Sequence, residues 1–259
     1  MQKMSESELD LYIKKEGLDQ LIDFFANKDY KEGVYDAVAG KMNIPFPPVK
    51  QDLVQLHKLV RENKFFTVLE FGIGYSSIII CDALYKNQQD FEQLNPQPEI
   101  RNRYKFQLFC VDSSLKWIKN VKKFFPTHLK DRLHVSFSRV KIGTYQDQIC
   151  SYYKSLPDIV PDFIYLDGPD SQKVEGRING LSFKCLERTV MSGDLLLMES
   201  TFLPGTCILV DGRTNNARFL QRNFKRNFKC TWNKDLDTTL FELDEERLGK
   251  YNILGKDLF

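Results

Sequence analysis

The chain has few histidines, almost no net charge, no closely paired cysteines and no long apolar run. His57, His128 and His134 are too scattered to build a histidine metal site, and each is expected at the surface or its boundary. Lysine and arginine number 37 against 35 aspartates and glutamates, a net charge of +2, so no global field gathers nucleic acid or an anionic membrane. Cys81, Cys110, Cys150, Cys185, Cys207 and Cys230 form no Cys-x-x-Cys pair and sit mostly inside apolar runs. That argues against a zinc site or a disulfide frame and predicts reduced core residues. A spanning helix needs roughly 18–20 apolar residues, whereas even the runs 76–81 and 195–198 are soon closed by polar residues. The first eight residues carry no apolar core of the secretory kind, and the expectation is a soluble, cytoplasmic protein.

Hydrophobic residues at 42%, charged ones at 28% and aromatic ones at 13% describe a packed globular chain, and 259 residues suit one large core with embellishments. The beginning reads as helical: Ser5 and Glu8 form a capping box ahead of Leu9, Leu11 and Ile13. The prolines within 44–48 force extended backbone and mark a joint before a helix over about 51–61, which carries Leu53, Leu56, Leu59 and Val60 on one side. Residues 65–71 are β-branched and aromatic, as suits a strand buried on both faces. Short apolar runs then alternate with amphipathic stretches, the pattern of a parallel sheet with crossover helices. Further strands are expected at 106–112, 133–137, 163–167 and 207–211, with a polar surface insertion over 87–99. A helix over 215–227 and two antiparallel strands, 229–232 and 238–243, follow. The division this predicts is a helical prefix over 1–62 and an α/β domain over 63–259.

The most informative segment is Glu70-Phe71-Gly72-Ile73-Gly74-Tyr75-Ser76-Ser77. An acid ends a buried strand, two glycines turn the chain, and a helix begins. Such glycines let a ligand approach the backbone, and the helix start offers N–H groups. A dinucleotide fingerprint would have a third glycine where Ser77 stands, and does not call for a carboxylate before the turn. Three more strands also end in acids, Asp112, Asp167 and Asp211. In a doubly wound sheet the carboxyl ends of the strands line one crevice, so the four acids are expected to converge at one rim, offset by ligands, a cation or arginines such as Arg213.

Glu70 with Gly72 and Gly74 resembles the first motif of class I S-adenosylmethionine-dependent methyltransferases, and Asp112 matches that family's ribose-binding acid by position. The resemblance spans about 51–244. It implies an α/β, doubly wound, mostly parallel sheet with a C-terminal antiparallel pair and a helical N-terminal extension. It implies S-adenosylmethionine held by Glu70, Gly72, Gly74, Tyr75, Ser76, Asp112 and Ser113, with Asp167 as the catalytic residue; the methyl acceptor stays open among a small molecule, a sugar or glycan precursor and a protein side chain, a hydroxyl of a small molecule or glycan precursor being the expectation. Asp112 would face the ribose while Ser113 caps the next helix. The order of features is similar to that of catechol O-methyltransferase-like members, in which acids ending strands four and five hold magnesium, so that Asp167 and Asp211 become candidate metal ligands. That group has an asparagine directly after its second metal acid; here Gly212 stands there and the nearest amides are Asn215 and Asn216, while Asp211 could pair instead with Arg213 or Arg177. A nicotinamide-dependent oxidoreductase and a non-catalytic module of the same fold are the rival readings. Tyr145 is expected in an exposed loop, and the basic segments 116–123 and 222–226 as solvated helix faces.

Overall fold

The computed structural model describes residues 3–26, 49–185 and 187–258; the proline joint at 44–48 lies outside them. Helix α1 (Glu6–Glu16) opens on the expected capping box, with the Glu8 N–H donating to Ser5 Oγ and the Ser5 N–H donating to the Glu8 carboxylate at 2.7 Å, and it ends at Gly17 with φ of 63°. Helix α2 (Asp19–Ala26) follows at once. Helix α3 (Lys50–Asn63) buries Leu53, Leu56, Leu59 and Val60 in the same hydrophobic cluster as the central sheet.

The elements after it are β1 (Thr67–Phe71), α4 (Tyr75–Glu92), β2 (Gln107–Asp112), α5 (Leu115–Phe124), β3 (Leu133–Phe137), β4 (Val140–Tyr145), β5 (Gln148–Tyr153), β6 (Phe163–Leu166), β7 (Val174–Glu175), α6 (Asp194–Met198), β8 (Cys207–Asp211), α7 (Thr214–Asn223), β9 (Phe228–Asn233) and β10 (Thr238–Leu243). Seven strands form the main sheet in the order β3-β2-β1-β6-β8-β10-β9. The first five neighbours run parallel, and β10 pairs antiparallel with both β8 and β9, which is the expected C-terminal pair. All five residues of β1 are buried, since helices cover both faces of a parallel sheet.

Strand periodicity sorts the core into two layers. Val68, Leu108, Cys110, Phe163, Tyr165 and Leu209 face α3, α4 and α5, while Leu69, Phe71, Val111, Ile164, Leu166, Ile208 and Val210 face α6 and α7. Glu70, Asp112, Asp167 and Asp211 share the parity of the first set. Register then separates them in height. Phe71 pairs with Val111 and Leu166, and Leu166 with Val210, so Gly72, Asp112, Asp167 and Asp211 all stand one step above that row. Glu70 stands one step below it. The expected rim of four acids is therefore a rim of three, with Glu70 about 6.5 Å deeper along the strand direction.

Several expectations are corrected. A second sheet, β5-β4-β7, takes β4 and β5 from between β3 and β6 and β7 from after β6, where the sequence reading has only connections. Tyr145 ends strand β4 and packs partly buried against the core instead of lying in an exposed loop. The polar insertion begins later than 87, because α4 runs on to Glu92; Asn87 is fully buried, its amide donating to Val60 O at 3.0 Å and accepting from Arg61 Nη1 at 2.6 Å. His57 is fully enclosed, bonded through Nδ1 to the Tyr12 hydroxyl at 2.8 Å and through Nε2 to Asp82 at 3.0 Å. Helix α7 stops at Asn223, and Arg226 is no solvated face: its Nη1 donates to the carbonyls of Glu199 and Phe202, and its guanidinium pairs with Glu245.

Candidate functional site

Strand order reverses between β1 and β6: β2 and β3 continue to one side, β8 and β10 to the other. At such a switch point the two loops leaving the carboxyl ends diverge and open a crevice. Here the loops touch at their base. The Gly72 N–H donates to Val111 O at 2.9 Å and the Asp167 N–H to Phe71 O at 3.2 Å. A Cβ on Gly168 would meet Phe71 O at 2.7 Å, so that position admits only glycine without a backbone shift. Gly72 itself takes φ of 122°, a conformation that side chains disfavour. Gly74 differs from both: its φ is −172°, and a Cβ there would meet only Ser76 Oγ at an ordinary 3.8 Å. Neither backbone nor packing requires glycine at 74, and the missing side chain leaves space against the start of α4.

Glu70 lies directly under this turn, 1% exposed. Oε1 accepts from Ser76 Oγ at 2.5 Å, Oε2 from Ser77 Oγ at 2.6 Å, and the Cys110 thiol approaches Oε2 at 3.3 Å. The Ser77 hydroxyl in turn accepts the Gly74 N–H at 2.9 Å. Burial pushes the Glu70 carboxyl up to about 7, opposed by the two serine hydroxyls. Glu70 and Ser76, both expected against a ligand, thus brace the turn from below. Tyr75 is packed by its ring on Phe25 of α2 at 4.8 Å and on Phe124 of α5 at 5.5 Å, and Trp117 Nε1 donates to Ile73 O at 2.5 Å, clamping the turn from the α5 side.

Asp112 reaches the rim at the end of β2, and its Oδ1 accepts the Ser114 N–H at 2.6 Å. The cap of α5 is Ser114, which accepts the Trp117 N–H, and not Ser113 as expected; Ser113 instead turns its backbone N–H toward Asp112. Burial, and then the nearby Asp170, raise the Asp112 carboxyl to about 6.

Across the crevice Asp167 keeps 54% of its side chain accessible. Its neighbour is Arg213, whose Nη2 donates to Asp167 O at 2.6 Å and lies 3.7 Å from Oδ1, while Nη1 donates to Pro169 O at 3.2 Å. The crevice strips enough water from Asp167 to raise its carboxyl, with Asp211 and Asp112 adding to the push and Arg213 opposing it. Asp211 is occupied as well: Oδ2 accepts from the Tyr165 hydroxyl at 2.5 Å. Burial raises its carboxyl, and Tyr165 and Arg213 counteract.

The donor set does not fit magnesium, which demands a near-octahedral array of oxygens. A guanidinium stands 3.7 Å from Asp167 Oδ1 and its charge reaches Asp211, and no asparagine completes the pair. Asn216 is 1% exposed and accepts the Ser192 N–H at 2.9 Å, Asn215 faces solvent, and Arg177 donates to Gly180 O. Among the described residues no group of three or more histidines, cysteines, aspartates or glutamates is placed to share a metal ion.

Three residues at the crevice escape the sequence reading. Tyr165 is one residue of an apolar strand, and only its shared parity with Asp167 and Asp211 could have marked it. Tyr153 comes from the inserted sheet, 6% exposed, with its ring 5.6 Å from Phe71; burial and the charges of Asp112 and Asp194 push its phenol up, and Arg213 pulls it down. Asp52, near the start of α3, is held at about 6 by loss of water and by the Asp211 charge. No local motif announces either of these two. A small cavity lined by Phe65, Asp162, Thr206 and Leu254 lies at the opposite, amino end of the strands, away from these acids.

No protein-family model and no curated protein sequence matches the chain. Solved structures do. The SAH-bound methyltransferase PaMTH1 of Podospora anserina aligns over 95% of this chain and 99% of its own, with a TM-score of 0.50 and 12% identity. The O-methyltransferase TomG of Streptomyces achromogenes, in complex with SAM, aligns over 93% and 100% at a TM-score of 0.43 and 14% identity. A methyltransferase of Geobacter sulfurreducens aligns over 94% and 99% at 0.44 and 13%. Strand order, the antiparallel pair that closes the sheet, and the PaMTH1 alignment agree: this chain carries the fold of the class I S-adenosylmethionine-dependent methyltransferases.

Proposed function

We propose that the crevice above Gly72 and Gly74 binds S-adenosylmethionine and that the protein transfers its methyl group to a hydroxyl of a small molecule or glycan precursor. The observation that carries this reading is Gly74. It is a glycine with extended backbone and no packing conflict, where an absent side chain serves only something lying against the turn. PaMTH1, which shares this fold, is an SAH-bound methyltransferase.

The roles follow from position. Gly72, Gly74 and the backbone of Tyr75 and Ser76 form the wall along the methionine end, and Glu70 acts as a positioning residue that holds the wall through Ser76 and Ser77. Asp112 faces the ribose hydroxyls, with Ser113 and Ser114 fixing its carboxylate. Bound there, S-adenosylmethionine supplies a methyl carbon already electrophilic on its sulfonium, so alignment of the acceptor is most of the remaining work. Asp167, accessible at the mouth and with its carboxyl raised, is suited to orient an acceptor hydroxyl and accept its proton.

Isothermal titration with S-adenosylhomocysteine and, separately, NAD tests the reading. Heat of binding with the first and none with the second is expected. NAD bound while S-adenosylhomocysteine stays silent would make the chain a nicotinamide-dependent protein instead.

A further inference from the structure

We infer that Arg213 is the resident cation of this crevice, standing in place of a divalent metal, so that the Asp167 and Asp211 rim works without one. The inference rests on the methyltransferase reading for its purpose but not for its geometry. Arg213 begins the turn into α7, immediately after Gly212, and its guanidinium crosses from the end of β8 to the loop after β6. Three contacts hold it there: the Asp167 carbonyl at 2.6 Å, the Pro169 carbonyl at 3.2 Å and the Asp167 carboxylate at 3.7 Å. Two of the three are backbone oxygens, so the cation is positioned by the chain itself and not by a flexible surface pairing. Only 21% of its side chain is accessible.

The geometry also removes what a metal would need. Asp211 already receives the Tyr165 hydroxyl, Asn216 is committed to the Ser192 N–H, and Gly212 offers no side-chain oxygen. A guanidinium 3.7 Å from the Asp167 carboxylate, whose charge also reaches Asp211, repels a divalent ion while supplying the positive charge that those carboxylates lack. It does so in a fixed direction, with no ligand to lose. The acceptor then has no need to chelate: a single hydroxyl beside Asp167 suffices, and neighbouring hydroxyls of the catechol kind are not required.

The test is a titration of the whole protein with Mn²⁺, read by the electron paramagnetic resonance of free manganese. Wild type is expected to leave the signal of free Mn²⁺ undiminished. Arg213→Ala, which removes the repelling charge, is expected to raise Mn²⁺ affinity by at least about tenfold, and Asp167→Asn added to it is expected to abolish the gain. Arg213→Lys, which keeps the charge should the alanine variant fold poorly, is expected to stay silent. Stoichiometric Mn²⁺ binding by wild type that Asp167→Asn removes would overturn the inference, and so would an alanine variant that melts cooperatively yet gains no binding. Calorimetry with S-adenosylhomocysteine in EDTA and in Mg²⁺ runs alongside. Equal affinities are expected. A ten-fold loss in EDTA counts against Arg213 as the cation, whereas no binding in either buffer would sink the methyltransferase reading and leave the manganese result to stand on its own.

Discussion

Gly168 and Gly74 answer to different demands, and substituting each by alanine separates them. At Gly168 the new Cβ would press on the Phe71 carbonyl at 2.7 Å, a backbone atom that cannot swing away. Gly168→Ala is therefore expected to cost about 1–3 kcal/mol or more in chemical denaturation. At Gly74 the Cβ meets only Ser76 Oγ at 3.8 Å, so Gly74→Ala should stay within about 1 kcal/mol of wild type, the usual range at a helix N-cap. Its S-adenosylhomocysteine affinity, by titration, should nevertheless fall at least about tenfold, the loss expected where a ligand lies on the glycine. Unchanged affinity would leave Gly74 without a role. Asp112→Ala is the companion experiment. Removing hydrogen bonds to a charged group costs roughly 1.5–3 kcal/mol, or about 10- to 150-fold in dissociation constant. The strand should survive, because Ser114 and not Asp112 caps α5. These residues were legible as a set of acids and glycines, since each follows an apolar run. What the run could not show was depth: Glu70 ends its run as plainly as Asp112 does, yet register sets it one row lower, under Ser76 and Ser77.

The β4–β5 hairpin is the element with least warning in the sequence and most reach into the crevice. Its strands mix exposed and buried positions without clean alternation, because each outer edge is paired over only a short stretch, β4 with β7 and β5 with the segment before α6. What anchors it is Asp194, 3% exposed at the first turn of α6, whose carboxylate oxygens accept the Tyr153 N–H at 3.1 and 3.3 Å. Asp194→Ala leaves that buried N–H without its partner, at a cost of about 1–3 kcal/mol. Hydrogen exchange should show the loss locally, with faster exchange at Tyr153 and its neighbours in β5 while β1 and β6 keep their protection. Uniform protection in the variant would mean that packing, not Asp194, holds the hairpin. By contrast the central parallel strands were readable in advance. Covered on both faces, they are apolar throughout, whereas the two antiparallel strands at the end, TTLFEL and the half-exposed FKCTWN, stood out by their β-branched and aromatic residues.

For the molecule as a whole, buried ionisable groups set a pH profile of stability. Burial lifts the carboxyls of Glu70 and Asp194 to about 7, against ordinary values of 4.5 and 3.8. Acids raised on folding contribute stability that is complete below their unfolded values and is lost as pH rises through the folded ones. His57 acts in the other window. Burial lowers it from 6.5, so the folded state resists its protonation and loses stability as pH falls below that value. The thermal midpoint is therefore expected to decline from about pH 6 to just above pH 7 and to level off beyond it, each acid contributing on the order of 1 kcal/mol across that interval. Glu70→Gln should flatten part of that slope; a midpoint that instead rises across the interval would refute the assignment of these acids. None of these shifts could be read from the chain, because desolvation depends on what covers a residue. The sequence alone determined the α/β class, the central parallel strands, the glycine turn and the acids that follow strands, since all of these are written in local composition and periodicity. Which acids share a level, that Arg213 crosses to Asp167, and that a hairpin delivers Tyr153 beside Phe71 depended on strand order and register. Those are pairings between residues 40 or more positions apart, and no local pattern encodes the partner.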